Sequence, residues 1–406
     1  MGGNAVFSRK EQSGEKSKQK SISIERVFKH PLIESAVKFL ESVKKEDSTV
    51  LLYHKDGDGI CGGFFIAKAL QLRGIQIRKH FIGDPLLLKN EMTIREIISQ
   101  KPSTIVAVDL PIDQSLDELR DLKEKTKSKI LVIDHHLLTH DLNNYGITHV
   151  TPHLFSDFPK GFDPSQLCGT MLSYEISRKI APIEPFRWAL AGVICDCGKN
   201  VSNDNLERVY HAYSKETMEK LEDVLTIYGH GGSVPSIALD AMLHAIEPED
   251  IIEGNNLWAN KIMSEYPGLV EARDQIINDA YESIKQERPI GTVTDFIIDK
   301  ELKSIIIEIS HSKFLASDIA TIISRDVFVD HVVTVIQIHD GTTKAKFRCQ
   351  SGDVNVKKVA YKIRPKLAGL GAGGHKKSSG AEYPTEYIEK SKTEIANAIK
   401  EERADA

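Results

Sequence analysis

Four apolar runs in this chain end in residues able to bind a cation. "TVLLY" delivers His54, Asp56 and Asp58, "TIVAVDL" closes on Asp109, "KILVIDHH" closes on Asp134, His135 and His136, and "WALAGVICDCG" delivers Asp196. Two carboxylates one residue apart repel each other, and a site that keeps both ionised usually needs a cation. Carboxylate oxygens with imidazole nitrogens and no thiolate fit Mn²⁺ well and argue against a structural zinc site. A bridging carboxylate would hold two such ions roughly 3.5 to 4 Å apart, the separation used for in-line displacement at phosphorus. One ion would acidify a shared water while both neutralise charge on the phosphoryl oxygens, so the expected chemistry is phosphoester hydrolysis. Each residue also has a plainer reading: an Asp after a strand is a common helix N-cap, and a lone His is more often a core or surface residue. Four such coincidences outweigh it only if the runs share one sheet edge.

The element pattern supplies that edge. Helices near 31–45, 60–73, 90–100 and 114–125 alternate with strands at 49–54, "IQIRKHFI", "TIVAVDL" and "KILVIDHH", which implies a parallel sheet with right-handed crossovers. Parallel strands put their carboxyl ends, and the loops that leave them, on one side. The stretch from about 165 to 290 reads as helix, and after Pro289 strands return in "GTVTDFIID", "SIIIEIS", "HVVTVIQIHDG" and "TKAKFRCQ", interleaved with the helical "LASDIATIISRD" and "VNVKKVAYKI". The expected fold class is α/β: a parallel-sheet domain over 23–225, a helical linker over 226–288 and a smaller α/β domain over 289–406, preceded by a disordered basic tail at 1–22.

The 406 residues suffice for two or three cores, and no apolar segment reaches membrane-spanning length or resembles a secretory signal. A cytoplasmic protein with no membrane partner is expected. The odd set Cys61, Cys168, Cys195, Cys197 and Cys349 forms no CxxC pair and suits a reducing compartment. The formal net charge of −5 announces no polyanion, yet Lys344, Lys346, Arg348, Lys357, Lys358, Lys362, Arg364, Lys366, Lys376 and Lys377 face the single acid Asp353 in their stretch. Such a local excess makes a phosphate-binding surface; the bland alternative is a solvated lysine-rich helix face.

The set of motifs resembles the DHH phosphoesterase superfamily. "DGDG", Asp109, "DHH" at 134–136 and Asp196 follow the family's four motifs in order, and "GAGGHKKSSG" is similar to the glycine-histidine motif of its DHH-associated C-terminal domain. The resemblance implies that Asp56, Asp58, His135 and Asp196 ligate two Mn²⁺ ions, with Mg²⁺ or Co²⁺ as substitutes, and that Asp109 bridges them. It implies that His136 contacts the scissile phosphate and that Asp134 orients its neighbours. His54 stands two residues before Asp56 rather than four; this short spacing, "TPHLF" and "CGTMLSYEI" resemble the archaeal RecJ-like, GINS-associated nuclease branch. Cys197, Ala372 and the pair Ser378-Ser379 depart from the family's usual residues without removing a metal ligand.

"GLGAGG" at 369–374 matches G-x-G-x-x-G, but "VAYKIRPKLA" before it is not the strand a dinucleotide fingerprint needs. The expectation is a backbone nest for an anion, formed with Gly373 and Gly374 and assisted by Arg348, His375 and Lys376; a flexible turn is the alternative. The function expected is a RecJ-like exonuclease on single-stranded DNA or RNA. The alternatives are a nanoRNase, nucleotide phosphatase or cyclic-dinucleotide phosphodiesterase, favoured if the cleft is closed at its far end, and an interaction subunit of a replication complex. Expected partners are single-stranded nucleic acid or short oligonucleotides, with replication or repair proteins if the resemblance extends that far.

Overall fold

The computed structural model describes residues 29–83, 87–155, 167–183, 191–195, 213–311, 315–339, 341–374 and 376–405. Asp196, Cys197, His375 and the tail at 1–22 lie outside them.

Strands β1 (Thr49–His54), β2 (Ile77–Gly83), β3 (Thr104–Val108), β4 (Lys129–Ile133) and β5 (Thr148–Val150) form a parallel sheet in the order β2-β1-β3-β4-β5. They are continuous apolar runs because both faces are covered. Leu51 and Tyr53 point into one core while Val50 and Leu52 point into the other. Helices α1 (Pro31–Glu41) and α2 (Gly57–Leu72) back the first core, and α3 (Glu91–Ser99) and α4 (Leu116–Thr126) the second. The chain runs from β1 outward to β2 and then returns to the other side as β3, so the switch point of the sheet lies between β1 and β3, where open α/β sheets bind ligands.

The middle is helical: α5 (Gly169–Ile180), α6 (Lys215–Gly231), α7 (Ile237–His244), α8 (Glu249–Ile252) and the 30-residue α9 (Leu257–Gln286). Residue 225, the expected boundary of the first domain, falls inside α6. Helix α9 serves both halves: its Arg273 Nη1 lies 2.7 Å from Asp223 Oδ1 on α6, and its Asp279 accepts the Thr292 N–H and hydroxyl, each at 2.8 Å. The second sheet runs β10-β11-β9-β8-β7-β6, from β6 (Val293–Asp299), β7 (Ser304–Ile309), β8 (Val332–His339), β9 (Thr342–Cys349), β10 (Gly371–Gly374) and β11 (Ser378–Pro384), antiparallel except for the β7–β8 pair. Helix α10 (Ala316–Asp326) packs on one face of this sheet. Helices α11 (Val356–Ile363) and α12 (Ile388–Ala404) pack on the other.

Candidate metal centre

Strand register assembles the centre. Tyr53, Val108 and Ile133 are neighbours across β1, β3 and β4, so the next residues, His54, Asp109 and Asp134, leave the sheet side by side. Asp109 still donates its N–H to Ile133 O at 2.8 Å and then turns into the left-handed region at φ 56°, a conformation short polar side chains tolerate better than others. Its carboxylate sits between two groups. Oδ2 lies 3.6 Å from His54 Nδ1, which is itself 2.9 Å from Asp56 Oδ2, while Oδ1 lies 3.2 Å from His135 Nε2 and 3.7 Å from His136 Nδ1. Two groups of ligand atoms result, His54/Asp56/Asp109 and Asp109/His135/His136, each compact enough for one cation.

His54 Nδ1 and Asp109 Oδ1 are sealed from solvent and have no hydrogen-bond partner, even though His54 Nδ1 is within 2.9 Å of a carboxylate oxygen. Buried polar atoms are normally paired. Atoms crowded together yet misaligned for hydrogen bonds are arranged as ligands aimed at a common point, and the donor set of imidazoles and carboxylates fits a hard-to-borderline divalent ion. The electrostatics agree. Burial lowers the pKa of His54, but Asp56 and Asp109 overcome it and raise it to about 10. Burial raises that of Asp56, yet His54 and the Gly59 N–H draw it well below the carboxylate range. Burial likewise lowers His136 and raises Asp134, and their mutual contact at 2.7 Å reverses both. The carboxylates thus favour positive charge at this point, which a bound cation would supply.

The helix-cap reading and the ligand reading of Asp56 hold together, one oxygen each: Oδ1 accepts the Gly59 N–H at 3.0 Å as N-cap of α2, and Oδ2 faces His54. Asp58 is held by the start of α5, where Gly169 and Thr170 each donate an N–H at 2.8 Å to a different carboxylate oxygen. Its Oδ2 stands 3.6 Å from His135 Nε2. Gly169 must lack a side chain, because a Cβ would come within 2.8 Å of Asp109 Cβ. The stretch "CGTMLSYEI" therefore matters by supplying that helix start.

In the second domain the glycine stretch forms the edge strand β10, in register with β11 from Gly371↔Glu382 to Gly374↔Ser379. Nearly devoid of side chains, β10 carries no apolar period. Lys346, Gly380 and Gly373 form one row across three strands, and the Lys346 side chain crosses Gly380. Gly373 faces Gln114 of the first domain, 3.7 Å from where its Cβ would be. Arg348 spends its guanidinium internally, on Thr321 Oγ1 (2.8 Å), Ser317 Oγ (2.8 Å) and Phe347 O (3.0 Å). Lys376 is exposed on the turn between β10 and β11. The basic stretch also splits. Lys344, Lys346 and Arg348 alternate with buried Thr343, Ala345 and Phe347 and so share one face of β9. Lys358, Lys362 and Lys366 instead pair with Glu402, Glu401 and Glu394 of α12, acids that lie outside the stretch used for the charge count.

Sequence reasoning passed over α6, whose last turns brace the metal loop. Thr226 Oγ1 accepts the Gly57 N–H at 3.1 Å, and His230, bonded through Nδ1 to Thr226 O at 2.9 Å, has its pKa lowered to about 3 by burial and then by Lys55, with Lys346 adding to it. The signal in the sequence is the glycine-flanked histidine of "YGHGG". Cys61, Cys168 and Cys349 are buried thiols, as their size suggests.

Two family models match: "DHH family, N-terminal domain" over residues 48–184 and "DHHA1 domain" over 292–403. The chain belongs to the DHH phosphoesterase superfamily. No curated protein sequence matches it significantly. Similar solved structures include a DHH domain described as a "member of s1p family of ribosomal proteins", at TM-score 0.67 and 15% identity, covering 93% of this chain and 92% of that one. They also include exonuclease RecJ bound to manganese, at TM-score 0.59 and 16% identity, covering 91% and 94%. RecJ of Thermus thermophilus with Mn²⁺ matches at TM-score 0.61 and 16% identity, covering 91% of this chain and 55% of that one. At these identities the likeness is one of fold. Among the described residues, no helix of this DHH protein is long and apolar enough to cross a membrane.

Proposed function

We propose that this chain is a divalent-metal-dependent phosphodiesterase that removes nucleotides from an end of a single-stranded nucleic acid, as a RecJ-like exonuclease does. The observation that carries the reading is the shared carboxylate of Asp109, one oxygen turned to each of two ligand groups. His54, Asp56 and Asp109 would hold one ion, and Asp109 and His135, with Asp58 and Asp196, a second. Bound there, the ions would supply an acidified water and neutralise phosphoryl charge. His136, held through Nδ1 by Asp134, would donate to a phosphoryl oxygen. The cationic face of β9 and the side-chain-free row at Gly380 and Gly373 would accept the strand opposite. Its likeness in fold to manganese-bound RecJ supports this assignment. End-labelled single-stranded DNA and RNA from two nucleotides upward, incubated with Mn²⁺, test it: a ladder shortening one nucleotide at a time is expected, and intact substrate in every lane would overturn it.

One observation favours a second reading, a phosphodiesterase of very short oligonucleotides. The domains are bridged by Lys89 Nζ to Leu370 O at 3.1 Å and by Gln114 Nε2 to Tyr361 Oη at 3.2 Å. A long strand running through would have to part these bonds. Cleavage confined to two- to five-nucleotide substrates would select this reading.

A further inference from the structure

The first turn of α10 carries Ser317 and Asp318, and Arg348 reaches across β9 to bind Ser317 and Thr321 on either side of that acid. Asp318 lies in the field of Arg273, of Arg348 and of Lys55, the residue between His54 and Asp56. Despite three cations, its Oδ2 is shielded and has no hydrogen-bond partner. The reason is visible: Arg348 donates to Thr321, Ser317 and Phe347, and Arg273 donates to Asp223 at 2.7 Å and Asp274 at 3.4 Å. The guanidiniums compensate the charge of Asp318 without satisfying its oxygen. An orphaned buried acceptor is costly and uncommon. Burial, assisted by Asp223, pushes the Asp318 pKa up to about 6 in spite of the cations. The residue as a whole is only partly covered.

An ionised carboxylate only accepts hydrogen bonds. Of the groups on a nucleic-acid strand, phosphates are repelled by it, whereas sugar hydroxyls can donate to it. We propose that Asp318 is a specificity-determining residue that accepts a hydrogen bond from a sugar hydroxyl of the substrate, either a 2′-hydroxyl within the strand or the 3′-hydroxyl at its end. The inference rests on the nucleic-acid reading of the site.

The test uses five-residue uridylate oligomers, whose base has no exocyclic amine, in ribo, deoxy and 3′-phosphorylated ribo forms. Affinities are measured with the full chain in Ca²⁺, to suppress cleavage, for wild type, Asp318→Ala and Asp318→Asn, with thermal melting to verify folding. Wild type is expected to prefer the ribo form by about tenfold over the deoxy form if the 2′-hydroxyl is read, or over the 3′-phosphate if the terminal hydroxyl is read, as a charge-assisted hydrogen bond requires. Asp318→Ala should bring the ratio to about one, and Asp318→Asn, which keeps an acceptor oxygen, to about threefold. Equal wild-type affinity for all three forms, or an unchanged ratio in the variants, overturns the inference. If Asp318→Ala fails to fold, the ratio in Asp318→Asn decides. Failure of wild type to bind any of the oligomers would overturn the nucleic-acid reading instead.

Discussion

Gly229→Ala should damage metal binding while leaving the helix that carries it intact. In most helices this change stabilises, by about 1 kcal/mol, because alanine is the better helix former. Here α6 is pressed so closely on the metal loop that the new methyl would overlap the carbonyl oxygen of Lys55, with Ile60 Cδ1 only 3.0 Å away. A backbone atom cannot swing aside as a side chain can, so loop and helix must separate by on the order of 1 Å, and overpacking of this kind costs about 1–3 kcal/mol. The net loss of stability is therefore small, about 0–2 kcal/mol. The loop that moves carries His54 and Asp56 on either side of Lys55. Misplacement by about 1 Å lowers catalysis by about 100-fold, and Mn²⁺ affinity should fall by at least tenfold. Calorimetric titration with Mn²⁺ and turnover at saturating metal measure both effects. Gly268→Ala on α9 is the control, since nothing lies within 4 Å of its added methyl. Wild-type metal affinity and turnover in a folded Gly229→Ala variant would refute the claim that α6 sets the position of the metal loop.

Asp109→Ala should abolish turnover and remove the rise in melting temperature that Mn²⁺ gives the wild type, a stabilisation of about 2.7 kcal/mol at a hundredfold excess over Kd; an equal rise in the variant would sink the two-ion arrangement. Asp318→Asn should melt higher than wild type at pH 7.5, by about 1–3 kcal/mol, with the difference vanishing near pH 4. Its folded pKa of about 6 lies above the ordinary value of 3.8, so wild type loses stability as pH rises through that window; a gap independent of pH would contradict the assignment. Arg348→Ala should destabilise the second domain by about 2–4 kcal/mol through loss of its bonds to α10, while the salt dependence of oligonucleotide affinity stays unchanged if Arg348 touches no phosphate; a slope reduced by about one would return it to the binding surface.

The first sheet was legible because each of its central strands is an uninterrupted apolar run buried on both faces, and because parallel strands put Asp109 and Asp134 on one edge without any knowledge of long-range contacts. The three-residue β5 carried too little pattern to be seen. In the second domain β6 to β9 show themselves by alternation and β-branched residues, whereas the glycine-rich β10 and β11, of mixed composition, give no such signal. Local charge counting failed on α11, whose lysines meet glutamates some forty residues further on. Thr226, His230 and Gly229 were beyond reach for a different reason: their role comes from packing between an otherwise ordinary helix and a loop about 170 residues away, which no spacing rule encodes.

The left-handed turn at Asp109 also bears on how such a chain could decay. Most substitutions there carry the backbone penalty of that conformation, whereas Gly and Asn are at home in it. A lineage released from catalysis would therefore drift downhill at this one codon, to Gly or Asn, gaining backbone ease as it lost its ions. An acid kept at this turn, where glycine would sit with more ease, is thus a mark of chemistry still in use, and a glycine there would be the mark of a scaffold kept without its ions.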